Sequence, residues 1–306
     1  MDAQALRNTE KNLFKNNNIG IMSPGSMGSA LARQWQTLGL HTLTALDGRS
    51  ARTKALARKS GIADVCTLEQ LTECDVILSV MSPGSALPFA RDLASAIQTT
   101  QRKPLVVDCN AIAPDTMQAV REAIESAGAD CVDGAMMGQP PTPTEKSRLF
   151  VSGPRAHELM ALATPQLSVH VVSERVGDAS AVKMLDAVMS KGITALMVQM
   201  LVAAHRLGVA DALNQQCEGP RRYFYDWIHR TLPIMPPKSY RWVPEVEEIA
   251  RTLESAGVDG NMMRASAALY DAVARTPLGQ ETSEQRIAAA RSGIEVARQL
   301  VASLER

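Results

Sequence analysis

The chain has 306 residues, enough for two domains by length, and at 45% hydrophobic residues it can bury a sizeable core. Lysine plus arginine is 32 and aspartate plus glutamate is 32, so the formal net charge is zero, which argues against nucleic acid or an acidic membrane surface as partner. Five cysteines (Cys66, Cys74, Cys109, Cys131, Cys217) show no C-x-x-C spacing and the five histidines are dispersed, so neither a disulfide framework nor a metal site is implied, and a reducing, cytoplasmic setting fits.

Residues 1–18 read as a polar lead-in with no signal-peptide pattern. The next stretch alternates short apolar runs, at 19–22, 42–46, 75–81, 105–109 and 131–133, with helical patterns at 27–38, 52–60, 86–97 and 115–126. Such alternation predicts a mostly parallel sheet covered on both faces, and a further strand pair at 149–152 and 169–172 is expected to close it. From about residue 176 no strand pattern remains. Helices are predicted at 178–207, 220–231, 240–256, 261–275 and 283–304, the last opened by a capping box from Thr282 to Gln285. The fold class is therefore α/β: a doubly wound Rossmann-type domain over 19–175, then an all-α domain over 176–306, entered through a long interdomain helix. The most apolar stretch, 181–204, carries Lys183, Asp186 and Lys191, which points to a core helix rather than a membrane span.

The loop Ile19-Gly-Ile-Met-Ser-Pro-Gly-Ser-Met-Gly28 joins the first strand to the first helix, where a dinucleotide fingerprint belongs. Gly25 and Gly28 take the second and third glycine positions of G-x-G-x-x-G, and Ser23 replaces the first; the plain alternative is an ordinary Gly/Pro turn. Ser23, Pro24, Gly25, Ser26, Met27 and Gly28 are the candidate pyrophosphate contacts, through backbone amides at the helix N-terminus. Met81 and Ser82, ending the third strand, join the cofactor set. After the second strand, Arg49, Ser50 and Arg52 offer two cations and a hydroxyl, the chemistry of a ribose 2′-phosphate, which favours NADP(H) over NAD. Asp47 competes as a ribose-hydroxyl ligand, with Gly48 at the discriminating position.

On the predicted helix 178–207, Lys183, Asp186, Ser190 and Thr194 fall on one polar stripe, flanked by Ser180 and Lys191. A partly buried lysine there can act as general acid/base beside a carbonyl or hydroxyl. The alternative is a structural Lys183–Asp186 pair or a polar helix–helix contact. Six of the 11 aromatic residues (Tyr223, Phe224, Tyr225, Trp227, Tyr240, Trp242) lie close together and could line a pocket or form the core of the helical domain.

These residues resemble the β-hydroxyacid dehydrogenase and 6-phosphogluconate dehydrogenase superfamily, from about Ile19 to the end. They are closest to a branch whose helical C-terminal domain has no assigned function, marked by Ser23-Pro-Gly-Ser-Met-Gly28 and Tyr240-Arg-Trp-Val-Pro-Glu-Val-Glu-Glu-Ile249. The family's D-x-S-T-x-x-P loop is similar to Asp108-Cys-Asn-Ala-Ile-Ala-Pro114, which makes Asn110 a candidate polar contact near the nicotinamide. Its substrate loop D-A-P-V-S-G-G is similar to Asp133-Gly-Ala-Met-Met-Gly-Gln139, which brings in Met137 and Gly138. Gly177 and Lys183 match the family's glycine six residues before the catalytic lysine.

The chain departs from the family at three anchors: Met137 replaces a serine, Ala111 a threonine and Ala187 an asparagine. The resemblance implies an NADP(H)-dependent oxidoreductase moving a hydride between nicotinamide and a hydroxyl or carbonyl carbon of a small hydroxy-acid-like substrate. Lys183 is its general acid/base, with Asp186 and Asn110 beside it and Ser180, Met137, Gly138 and Tyr240 as further substrate contacts. An imine reductase on the same fold and a non-catalytic NADP(H)-binding scaffold remain as alternatives. The long apolar helix also implies a homodimer with the pocket near the subunit interface.

Overall fold

The computed structural model describes residues 13–304 apart from 218 and 220. Of the expected lead-in, residues 1–12 lie outside the described residues, as does Pro220 of one predicted helix. Leu13 is buried, and Phe14 packs with it against the main core. Contacts divide the chain into two compact units, one ending at Met184 and the other starting at Leu185.

In the first unit the order is β1 (Asn18–Met22), α1 (Ser26–Gln36), β2 (His41–Thr44), α2 (Ala51–Lys59), β3 (Ala63–Asp64), α3 (Leu68–Leu71), β4 (Val76–Ser79), α4 (Ala86–Thr100), β5 (Leu105–Asp108), α5 (Pro114–Ser126), β6 (Asp130–Met137), β7 (Ser147–Ser152) and β8 (Leu167–Ser173). The eight strands form one sheet in the order β3-β2-β1-β4-β5-β6-β7-β8, parallel throughout except where β6 meets β7. This is the doubly wound sheet expected from the sequence. β4 and β5 are buried at every position because helices cover both faces, which is why their sequences are apolar without alternation. Leu31 and Trp35 of α1 pack on one face with Ile21, Leu78 and Val107. Phe89 and Leu93 of α4 and Ile124 of α5 pack on the other with Ile77 and Val106. The Trp35 indole is fully buried and donates to the Leu162 carbonyl at 3.1 Å.

The short β3 has two exposed residues and no apolar signal in the sequence. β6 runs four residues beyond the predicted end, so the segment read as a substrate loop is mostly strand: Asp133 to Met137 pair with β7, and Gly138 leaves the sheet at φ +101°.

α6 (Asp178–Arg206) starts in the first unit and continues into the second. Then come α7 (Ala210–Gln216), α8 (Arg222–Thr231), α9 (Ser239–Ser255), α10 (Asn261–Ala274), α11 (Ser283–Ala289) and α12 (Gly293–Ser303). No strand occurs among the described residues of this part, as expected. The predicted helix 283–304 is two helices. Ala290 takes left-handed angles, and Ser292 restarts the chain with its own capping box to Glu295. That S-x-x-E signal lay inside the apolar period and was masked by it. The capping box from Thr282 to Gln285 is formed.

Among the described residues α6 alone is long and apolar enough to cross a membrane by length and composition, and 44% of its most apolar window is buried. It carries Lys183, Asp186 and Lys191, and Lys191 is ion-paired to Glu245 at 2.8 Å, an arrangement suited to packing against protein.

Candidate active site

The strand order reverses between β1 and β4, whose chains leave in opposite directions at their C-terminal ends. Ligands of open α/β sheets bind outside such a reversal. The loop leaving β1 there turns at Ser23, which adopts φ +59°, the left-handed region usually given to glycine. The serine therefore makes the turn that the missing first glycine would make, tightened by a 2.6 Å bond from Gly25 N to Ser23 O. The two remaining glycines differ in purpose. A Cβ on Gly28 would stand 3.1 Å from Ile21 Cγ2, so Gly28 lets α1 pack on the strand. A Cβ on Gly25 would meet nothing closer than 3.8 Å, so that surface is open to a ligand. No side chain caps α1 and its first turn holds no acid, leaving orphan amides and the positive helix end facing this opening.

Beyond β2, Arg49 is half-buried and Arg52 exposed; neither is ion-paired among the described residues. Ser50 caps α2, accepting from Thr53 N at 3.2 Å, and its hydroxyl lies 3.0 Å from that of Thr53. The Asp47 carboxylate accepts from Gly48 N at 2.9 Å.

Across the next four strands the structure shows a buried polar row. Register pairs Ser79 with Asp108, Asp108 with Asp133, and Asp133 with Ser152, so the four side chains share one face across β4 to β7. All are at most 2% exposed. Asn110 is buried with them. Its amide nitrogen donates to Ser79 Oγ and Asp108 Oδ2, both at 2.7 Å, and its oxygen accepts from Met81 N at 2.5 Å. The amide read as a nicotinamide contact is thus engaged in joining the ends of β4 and β5. It holds the Met81 backbone, while Ser82 stays exposed. Burial pushes the Asp108 carboxyl up to about 7, aided by the nearby Asp133 charge and opposed by its bonds to Asn110 and Ser79. Burial raises Asp133 as well, against four hydrogen bonds that favour its charge. The sequence signal for this row is slight: the apolar strands β4, β5 and β7 each end on a polar residue.

Lys183 is half-buried on the second turn of α6, and its ammonium donates to the Met136 carbonyl of β6 at 3.0 Å. Gly177 precedes the helix at φ +105°, where a Cβ would also stand 3.2 Å from Gln118 Nε2. Ser180 is buried, with its hydroxyl on Asp133 at 2.6 Å, so this predicted substrate contact is engaged within the fold. Met137 is half-buried in β6, and Gly138 is exposed beyond it.

The other predicted site residues belong to the second unit. Asp186 and Tyr240 are exposed, and Thr194 is fully buried, bonding back to Ser190 O at 2.7 Å. There the sequence reading passed over a tighter grouping. Lys191 pairs with Glu245 and lies 5.3 Å over the Trp242 ring, which meets Tyr270 edge-on, while the Tyr270 hydroxyl donates to Lys191 O at 2.6 Å. The aromatic residues of 223–242 make separate pairs, Tyr223 with Phe224 and Tyr225 with His229, rather than one wall.

The sheet order, the turn after β1 and the uncapped α1 define a dinucleotide-binding protein. Residues 18–165 match the family described as the NAD binding domain of 6-phosphogluconate dehydrogenase, and residues 204–273 match a domain of unknown function (DUF1932). The two matched domains follow one another along the chain. An uncharacterized 28.5 kDa protein of Methanothermus fervidus is 28% identical over 201 residues, 65% of this chain and 76% of that one. A solved protein of unknown function, described as similar to 3-hydroxyacid dehydrogenases, is 29% identical with a TM-score of 0.64, covering 84% of this chain and 96% of its own. A 3-hydroxyisobutyrate dehydrogenase from Salmonella typhimurium is 16% identical with a TM-score of 0.66, covering 92% of this chain and 99% of its own, which shows the shared fold.

Proposed function

We propose that the chain is an NADP(H)-dependent oxidoreductase acting on a hydroxyl or carbonyl carbon of a small organic substrate, with Lys183 as general acid/base. The observation that carries this reading is the presence, in one unit, of the open Gly25 surface beyond β1 and of an ammonium held at the end of β6. A nicotinamide cofactor bound on the glycine loop supplies or takes the hydride. Lys183 gives a proton to a substrate carbonyl oxygen or, when neutral, removes one from a hydroxyl.

Met137, where the family has serine, removes one hydrogen-bonding group for a carboxylate and favours a less polar substrate. Arg49 and Arg52 support NADP(H), because two guanidinium groups beside β2 with no ion pair among the described residues suit a 2′-phosphate. In this reading Asn110 acts through the Met81 backbone it holds, and the helical second half supplies a dimer contact. The exposed Leu185, Met189 and Leu196 form an apolar stripe on α6 that a second copy would cover in a cytoplasmic homodimer.

The test is NADPH oxidation by the purified protein against a panel of ketones, 2- and 3-oxo acids and cyclic imines, with NADH in parallel. Turnover of carbonyl compounds that is lost in Lys183→Ala, with NADPH binding retained, is the expected result. Activity on imines alone would replace the reading with an imine reductase. A Lys183→Ala protein indistinguishable from the parent would replace it with a cofactor-binding scaffold.

A further inference from the structure

Asp133 has the strongest set of hydrogen bonds of any buried acid in the first unit among the described residues. Its Oδ2 accepts from Gly177 N at 3.0 Å, Ser180 N at 2.9 Å and Ser152 Oγ at 2.9 Å, and its Oδ1 accepts from Ser180 Oγ at 2.6 Å. Ser152 Oγ in turn accepts from Ala179 N at 3.0 Å. Three of the four backbone amides from Gly177 to Ser180 are thereby answered from the sheet, and the fourth, that of Asp178, donates to Arg175 O at 3.4 Å. The helix's own first residue does not cap it: Asp178 bonds instead to Ser173 Oγ at 2.6 Å and to Arg175 Nε at 2.9 Å.

A helix end normally takes its cap from its own sequence, which fixes where the helix begins and not how it is turned against its neighbours. Here the acceptors come from residues 27 to 47 positions away, so the same bonds set the rotation of the first turn of α6 about its axis. A carboxylate suits the place because the helix N-terminus carries partial positive charge. Three residues further along each element, Lys183 Nζ meets Met136 O. Strand and helix are therefore joined by two rungs, Asp133 to Ser180 and Met136 to Lys183. Three residues span about 10 Å of strand but only about 4.5 Å of helix, so the second rung must be longer, and the lysine side chain supplies that length.

We propose that Asp133 is the positioning residue of Lys183: with Ser152 behind it, it holds the first turn of α6 in the one rotation that presents the lysine ammonium at the end of β6. This rests on the reading of Lys183 as the proton-transfer group, but it makes a structural claim of its own. Asp133 touches neither cofactor nor substrate. It acts through the helix.

The experiment uses the full chain, as Asp133→Asn and as the milder Ser180→Ala, which removes only the hydroxyl rung. Lysines are reductively methylated with 13C-formaldehyde, and the Lys183 signal is identified by its absence in Lys183→Arg. NADPH affinity is measured by fluorescence titration, and kcat and KM are measured with whichever panel compound the parent turns over. The expected result is a displaced Lys183 signal, NADPH affinity within about twofold of the parent, and kcat lowered about tenfold or more with KM little changed. In the Lys183→Ala background the Asp133→Asn change should cost less than about twofold, because groups acting as a unit are not additive. An unmoved Lys183 signal in both variants, or the same fold-loss with and without Lys183, overturns the proposal. If Asp133→Asn does not fold, Ser180→Ala carries the same readouts. If the parent turns over nothing, the oxidoreductase reading fails, and the Lys183 signal still decides the positioning claim.

Discussion

The glycine loop after β1 takes its shape from six consecutive residues, whereas the setting of Lys183 is assembled from Asp133, Met136, Ser152, Gly177 and Ser180, which come from two strands and a helix start. In the loop, Ser23 turns the chain, Gly25 leaves a surface open and Gly28 lets the helix close on the strand; each effect is local. Around Lys183 the bonds that join α6 to Asp133, Met136 and Ser152 span 27 to 47 residues. A substitution in the loop should therefore show in cofactor affinity, and one around the lysine should show in turnover.

The sharpest break in this comparison comes from Lys183 itself. Lys183→Ala should lower kcat by roughly 10²–10⁴-fold while NADPH titration gives an unchanged affinity, the separation that a general acid/base implies. Second in size is Gly25→Val. Its Cβ would meet no protein atom closer than 3.8 Å, so the Tm should hold while NADPH affinity falls about a hundredfold or more. Gly28→Val is the contrast, since a Cβ 3.1 Å from Ile21 strains the helix–strand contact, and both Tm and affinity should fall. A Gly25→Val protein that melts early would show that the loop is not local after all.

A smaller effect is expected from removing Arg49 and Arg52 together. NADPH should weaken about tenfold to a hundredfold and NADH by less than about twofold, read from paired titrations. Equal weakening of both would remove the 2′-phosphate assignment and leave Asp47 as the ribose ligand.

A separate effect, read in stability rather than affinity, tests the polar row. Burial disfavours the charge of Asp108 and pushes its carboxyl up to about 7 in the folded chain, from 3.8 for an ordinary aspartate. Between those two pH values the folded chain holds a proton that the unfolded chain has released, so Asp108 makes stability fall as pH rises from about 4 to about 7. Asp108→Asn lacks this term. Its stability relative to the parent should improve across that interval by as much as a few kcal/mol, measured by urea unfolding at each pH. A difference that does not change with pH would mean that the Asn110 and Ser79 bonds keep Asp108 ionised.

The doubly wound sheet, the glycine loop, the cationic residues after β2 and the helical second half were legible in the amino-acid sequence. Each is written in contiguous residues: apolar runs that cover a strand, turn residues at set offsets, and apolar residues on a helical period. The capping box at Thr282 was legible for the same reason, and the one at Ser292 was overlooked because the apolar period runs through it. Lys183 stood out by its place on an apolar helix and by resemblance.

What the sequence could not decide is which polar groups are free to meet a ligand and which are already engaged. Asn110 and Ser180 read as site residues, yet their side chains are satisfied by Ser79, Asp108 and Asp133. Register does this: only when β4, β5, β6 and β7 pair do Ser79, Asp108, Asp133 and Ser152 fall in one row, and only then does α6 find its cap in the sheet. A buried hydrogen bond joins residues that folding brings together. Its partners, and the rotation it gives to the helix of Lys183, therefore exist in the tertiary structure alone.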